Sequence, residues 1–179
     1  MANKTLLPVE EDLTNRFDRP EPDYVDGEII ERNVGSIRHF KAQQRLLEFF
    51  GSLKQSCSLF GYPEVTLELS PTRYRVADVV VFRGDVSSEG EYPTDPPDFV
   101  IEIVSVDDPH VKIQRKLADY YQWGVKHVWL VDPWTRRFSV YDQSGLHVRW
   151  TDGALDHLDP GASPRQVCAG RYAGRHPRS

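Results

Sequence analysis

The sequence predicts one α/β domain in which a mixed β-sheet is flanked by helices, and three patterns carry that prediction. Val65, Leu67 and Leu69 alternate with Thr66, Glu68 and Ser70, the period-two signature of a half-buried strand. Two short runs, 75–82 and 99–104, are almost continuously apolar, as strands covered on both faces are. Between the second run and another at 127–131 lies a helical segment, so strand, helix and strand form a crossover whose strands run parallel.

Taken in order, residues 1–22 are polar and punctuated by Pro8, Pro20 and Pro22, an irregular lead-in to a domain spanning 23–158. Asp26-Gly27 separates Tyr24-Val25 from Glu28-Ile29-Ile30 and suits a tight hairpin, because both residues tolerate the positive φ of a type I′ turn. From about Ser36 to Ser56, Ile37, Phe40, Leu46, Leu47, Phe49, Phe50 and Leu53 recur at three- and four-residue spacing, opposite Arg38, Lys41, Arg45, Glu48 and Lys54. That is an amphipathic helix. The 65–70 strand and the 75–82 strand follow, then a connection over 83–97 rich in glycine and proline. For the next helix, Asp108 is the expected N-cap, Pro109 the first helical residue and Gly124 the left-handed residue past its end. Short strands near 138–141 and 146–150 complete the domain, and the stretch 159–179 is a basic tail without an apolar face, expected to be disordered.

With 39% hydrophobic and 11% aromatic residues, 179 residues suffice for one substantial core. No apolar run reaches the roughly 18 residues of a membrane span, so a cytoplasmic protein with no membrane partner is expected. Cys57 and Cys168 are far apart and read as two unpaired thiols. The net charge of −5 argues against a protein that coats nucleic acid through basic surface. The basic part is the end: Arg165, Arg171, Arg175 and Arg178 stand in a stretch, 161–179, without acids, and removing their +4 leaves −9 for the rest.

Chemistry is concentrated in two acids inside apolar strands, Asp78 and Glu102. If the intervening chain folds back around Gly90, residue 80 lies opposite 100 and residue 78 opposite 102. Directly opposed residues have Cβ atoms roughly 5 Å apart, so two buried carboxylates would repel and need a neutralising partner, a divalent cation being the simplest. On a wheel of about 100° per residue, Ile113, Leu117, Tyr120 and Tyr121 face inward with Lys116 at the edge of that arc and Lys112 one turn earlier. Arg115 and Asp119 fall toward solvent on the same wheel. Lys116 therefore reaches the two acids from a helix packed over the sheet.

Two acids and one ammonium suit metal-assisted hydrolysis of a phosphodiester. Asp78, Glu102 and the backbone carbonyl of Ile103 would hold Mg2+, with Mn2+ as a substitute, while Lys116 steadies developing charge. The competing reading is a salt-bridged cluster without catalysis.

Three segments of the chain carry a family resemblance: Val76-Ala77-Asp78-Val79-Val80-Val81, Pro97-Asp98-Phe99-Val100-Ile101-Glu102-Ile103-Val104-Ser105, and the stretch from Lys116 through Gly124-Val125 to Trp129-Leu130-Val131-Asp132-Pro133. Together with Asp26-Gly27-Glu28 and His39, these resemble the Uma-two family of restriction endonucleases across roughly residues 23–143. The resemblance implies a restriction-endonuclease-like fold, a branch of the PD-(D/E)xK nuclease superfamily, with Asp78 and Glu102 as its metal-binding acids and Lys116 as its helix-borne lysine. Two departures stand out: Val104 occupies the superfamily's usual lysine position, and Ala77 precedes Asp78 where a proline is customary.

Glu28 and Glu31 are candidates for a further carboxylate at the site, against a reading as exposed hairpin acids. His39 is a candidate for contact with phosphate or the site, against an ordinary helix-surface histidine. Asp132 reads as a turn residue, and Trp123, Trp129 and Trp134 as packing rather than base-stacking groups. The expected function is a Mg2+-dependent endonuclease acting on DNA. A non-catalytic scaffold that keeps the fold, or a metal-dependent phosphohydrolase with another substrate, are the alternatives. Cutting both strands takes two active sites, so a homodimer is expected, with residues 129–134 or the first helix as its interface.

Overall fold

Asp26 and Gly27 both adopt positive φ, 51° and 88°, and turn β1 (Asp23–Val25) into β2 (Glu28–Ile30), the hairpin expected of Asp-Gly. The computed structural model describes residues 21–33, 35–84, 86, 92–106, 108–142 and 145–150. The lead-in up to residue 20 and everything from 151 onward, the basic tail included, lie outside the described residues.

Ser36 caps helix α1 (Ile37–Ser52), its hydroxyl accepting from the His39 N–H. The expected single helix to residue 56 is broken at Leu53, after which a short turn, α2 (Lys54–Cys57), ends in left-handed Ser58. Strand β3 (Leu59–Ser70) starts six residues before the alternating pattern does, because Gly61 and Pro63 hide its first half in the sequence. It pairs with β4 (Arg73–Arg83) from one end to the other, with a break at Asp78. Strand β5 (Phe99–Ile103) pairs antiparallel with β4, Val80 facing Val100, which is the register expected for a fold-back around Gly90.

Helix α3 (His110–Trp123) then crosses to β6 (His127–Asp132), parallel to β5 as predicted. Its start departs from expectation: Pro109 is the N-cap and Asp108 does not cap. The Asp108 carboxylate instead accepts from the Ser105 N–H and the Asn33 amide. At the other end Gly124 is left-handed at φ 110° and closes the helix as predicted. Strands β7 (Arg137–Asp142) and β8 (Gly145–Trp150) extend the sheet antiparallel. Asp132 accepts the N–H groups of Trp134 and Thr135 and so forms the turn assigned to it.

The eight strands run β2-β1-β4-β5-β6-β7-β8 with β3 on the other edge of β4. One face packs under α1 and α2, where Ala42, Leu46, Phe50 and Leu53 meet Val79, Val81, Phe99, Ile101 and Trp129. The other packs under α3, where Leu117 and Tyr120 meet Ala77, Val80, Val100 and Val128. Burying each large apolar side chain in these layers contributes about 1.5–3 kcal/mol, so the two-sided sheet is a main source of stability. Trp129 is 1% exposed and belongs to this core, which removes it from any subunit interface. Cys57 is disulfide-bonded rather than the unpaired thiol expected, and Cys168 lies outside the described residues. Among the described residues no helix is long and apolar enough to cross a membrane.

Candidate active site

Asp78 sits where both ladders of β4 are interrupted. On one side the pairing passes from Pro63–Val79 to Val65–Ala77, skipping Glu64, which adopts φ 51°. On the other, β1 pairs with residues 73 and 74 and β5 with residues 79–81, leaving 75–78 without a strand partner on that edge. Side chains serve the bare backbone there. Asp23 accepts the Val76 N–H at 2.8 Å, Lys116 Nζ donates to the Val76 carbonyl at 2.6 Å, and Gln43 donates to the Asp78 carbonyl at 2.8 Å. A cleft of about 430 Å³ opens over this gap.

All eight residues singled out from the sequence line that cleft: Asp78, Glu102, Lys116, Ile103, Glu28, Glu31, His39 and Lys112. Their contacts divide into two groups. Asp78 Oδ2 accepts the Ile103 N–H at 2.7 Å, while Oδ1 meets Arg32 Nη2 at 2.7 Å and lies 3.7 Å from His39 Nε2. Arg32 Nη1 reaches Glu64 at 2.7 Å, so its guanidinium bridges two carboxylates. Glu102 belongs to the second group, with one oxygen 2.9 Å from Lys116 Nζ and the other accepting from the Tyr120 hydroxyl at 2.9 Å. The expected repulsion between the acids is thus met by two side-chain cations, one for each.

Burial dominates the protonation equilibria. It raises Asp78, with Lys116 and Arg32 pulling the other way, and raises Glu102 to about 7 despite the Lys116 charge. Burial also opposes the charge on Lys116 and on Arg32. The carboxylates of Asp23 and Glu102 outweigh it for Lys116, and those of Asp78 and Glu64 for Arg32, so both stay cationic above their ordinary values. Burial lowers His39, leaving a neutral imidazole at pH 7. The ring is 6% exposed and its Nδ1 has no hydrogen-bond partner. Gly35 lets the chain pass so close that a Cβ there would stand 2.9 Å from His39 Cδ2.

Ligand atoms of His39, Glu64 and Asp78 lie within 4.8 Å of one another. Two carboxylates and a neutral imidazole form a donor set that fits a divalent cation, and the carboxylates suit Mg2+ or Mn2+. This set differs from the expected one: Glu64 and His39 accompany Asp78, whereas Glu102 is held by Lys116 and Tyr120, and Ile103 is engaged through its N–H.

Sequence reasoning missed Arg32, Glu64, Gln43 and Asp23. Arg32, Gln43 and Asp23 reach Asp78 or Val76 across 35–53 residues of sequence, Glu64 joins them through Arg32 and Gln43, and none stands out in a local pattern. Asp119 also departs from expectation. It is not directed to solvent but pairs with Arg75 and Arg73, Arg75 being 5% exposed and also paired with Asp23. Arg115 lines the cleft from an exposed position on α3.

Residues 11–160 match the model of the family Uma2, described as "Putative restriction endonuclease". Among solved structures, the chain is similar to a "putative nuclease belonging to DUF820" from Anabaena variabilis. The two are 22% identical, with a TM-score of 0.69 over 79% of this chain and 83% of that one, a likeness of fold. No curated protein matches.

Proposed function

Because the chain belongs to the Uma2 family, we propose that the cleft over Asp78 hydrolyses phosphodiester bonds of DNA with a divalent cation, Mg2+ or Mn2+. The observation that carries the reading is convergence: Asp78, Glu102 and Lys116 come from β4, β5 and α3, and the two buried acids and the half-buried lysine line one cleft. A bound divalent ion supplies charge for the phosphate and acidifies water. Asp78 would hold it, with Glu64 and His39 as further ligands. Glu102 accepts one hydrogen bond on each oxygen and keeps lone pairs for the ion or for an attacking water. Lys116, fixed by the Val76 carbonyl, holds a positive charge beside the reacting phosphate without having to reorganise. Lysine at position 104 is not needed on this reading, because the ammonium arrives from the helix.

The exposed Lys112 and Arg115 at the rim supply the local positive charge that the net charge of −5 withholds from the molecule at large. A homodimer would give two such clefts for the two strands, and Ile37 and Phe40, 70% and 48% exposed on α1, are apolar surface for its interface.

A nicking assay on supercoiled plasmid tests the reading. Wild type should cut with Mg2+ or Mn2+ and not with EDTA, and Asp78→Ala, Glu102→Ala and Lys116→Ala should each lose about 100-fold or more. Cutting that persists in EDTA, or a fully active Lys116→Ala, rejects the mechanism. The scaffold alternative draws on the pairing of each acid with its own side-chain cation and predicts no response to metal. Metal-dependent cleavage of a phosphodiester dye with intact DNA and RNA would favour another substrate.

A further inference from the structure

Arg32 lies at the centre of the group of donors just described. Its two terminal nitrogens each stand 2.7 Å from a different carboxylate, Glu64 and Asp78, and those carboxylates are two of the three donors of the candidate cation site. A divalent cation holds oxygen ligands at about 2.0–2.6 Å, so it and the guanidinium would claim the same carboxylate oxygens. The third donor marks the space as a site rather than a plain ion pair: His39 is buried, and its Nε2 stands 3.7 Å from Asp78 Oδ1. Arg32 itself belongs to the irregular stretch between β2 and α1, where no strand or helix ladder fixes its backbone, and its side chain is 14% exposed at the wall of the cleft.

We propose that Arg32 is the resident counter-ion of the His39–Glu64–Asp78 site and exchanges with the divalent cation, the displaced guanidinium becoming a receptor for a nucleic-acid phosphate. The inference rests on the nuclease reading of the cleft and assigns it an order of events. Without nucleic acid, Arg32 competes with the ion for Glu64 and Asp78 and keeps metal affinity low. A phosphate in the cleft, where Lys112, Arg115 and Lys116 already gather positive charge, offers the guanidinium a bidentate acceptor in place of its two single contacts. Metal and DNA then assist one another's binding, each by the same factor. The consequence is a site that carries little metal, and so little hydrolytic capacity, until a phosphodiester is present.

Isothermal titration of Mn2+ into wild type and Arg32→Gln, with and without a short phosphorothioate DNA duplex, tests this. Arg32→Gln should bind Mn2+ about tenfold tighter than wild type without DNA, within the roughly 5–150-fold span of ordinary coupling. The duplex should tighten Mn2+ binding to wild type by a similar factor and leave that of Arg32→Gln almost unchanged. Arg32→Lys keeps the charge but not the fork, and should tighten binding by a smaller factor; it carries the test if Arg32→Gln does not fold. Mn2+ binding by wild type and variants with equal affinity overturns the exchange while leaving the nuclease reading intact. Absence of Mn2+ binding to every form, with or without DNA, overturns both.

Discussion

At the scale of single residues, the buried acids make stability depend on pH in an uncommon direction. Glu102 ionises near 7 in the folded protein and near 4.5 unfolded, so between those values the native state binds the extra proton. Stability from this group is therefore full below about 4.5 and declines as pH rises to about 7, a change on the order of 3 kcal/mol. Asp78, also raised, tilts the curve the same way. His127, held down to about 4 by burial, tilts it oppositely below about 6.5. Thermal melts of metal-free wild type and Glu102→Gln across pH 4.5–7.5 should thus differ in slope, the variant losing less stability as pH rises; parallel curves would exclude a raised Glu102. Asp78, Glu102 and Lys116 were legible because charged residues inside apolar runs, or at the edge of an apolar arc, break a pattern. Arg32 and Glu64 were not, since one lies in a stretch without periodicity and the other precedes the visible alternation of β3.

At the scale of elements, the sequence announced those with unambiguous termini. Asp26-Gly27 and Gly124 require positive φ, and both the hairpin and the end of α3 fall where those residues stand. A β-carbon at Gly124 would make ordinary contact with Pro96, 3.5 Å away, so Gly124→Ala pays only for its backbone conformation. It should destabilise the protein by about 1 kcal/mol in urea denaturation, with folding retained. A neutral or stabilising result would mean the left-handed conformation is not held. The helix starts one residue later than expected because Asp-Pro has a second use: Asp108 ties the loop after β5 to Asn33 in the segment after β2, and both residues line the cleft. Interruption of both β4 ladders could not be read either, as pairing partners are set by tertiary packing and not by the strand's own alternation.

At the scale of the whole molecule, the cleft is framed by an ion network that joins β1, β4 and α3 through Asp23, Arg75 and Asp119. Asp23→Ala would strip Arg75 of one partner and the Val76 N–H of its acceptor, and should cost about 3 kcal/mol of unfolding free energy in denaturant titration. A loss under about 1 kcal/mol would mean Asp119 alone satisfies Arg75. The global fold was largely legible, since the crossover and the 80–100 register follow from local patterns, whereas this network depends on three segments meeting. The amides of Val76 and Ile103 have side-chain carboxylates, not main-chain carbonyls, as their acceptors. Any event that recruits Asp78 to another partner must therefore register in the deuterium uptake and nitrogen chemical shift of Ile103, giving the protein an intrinsic spectroscopic probe of occupancy that needs no attached dye and no turnover.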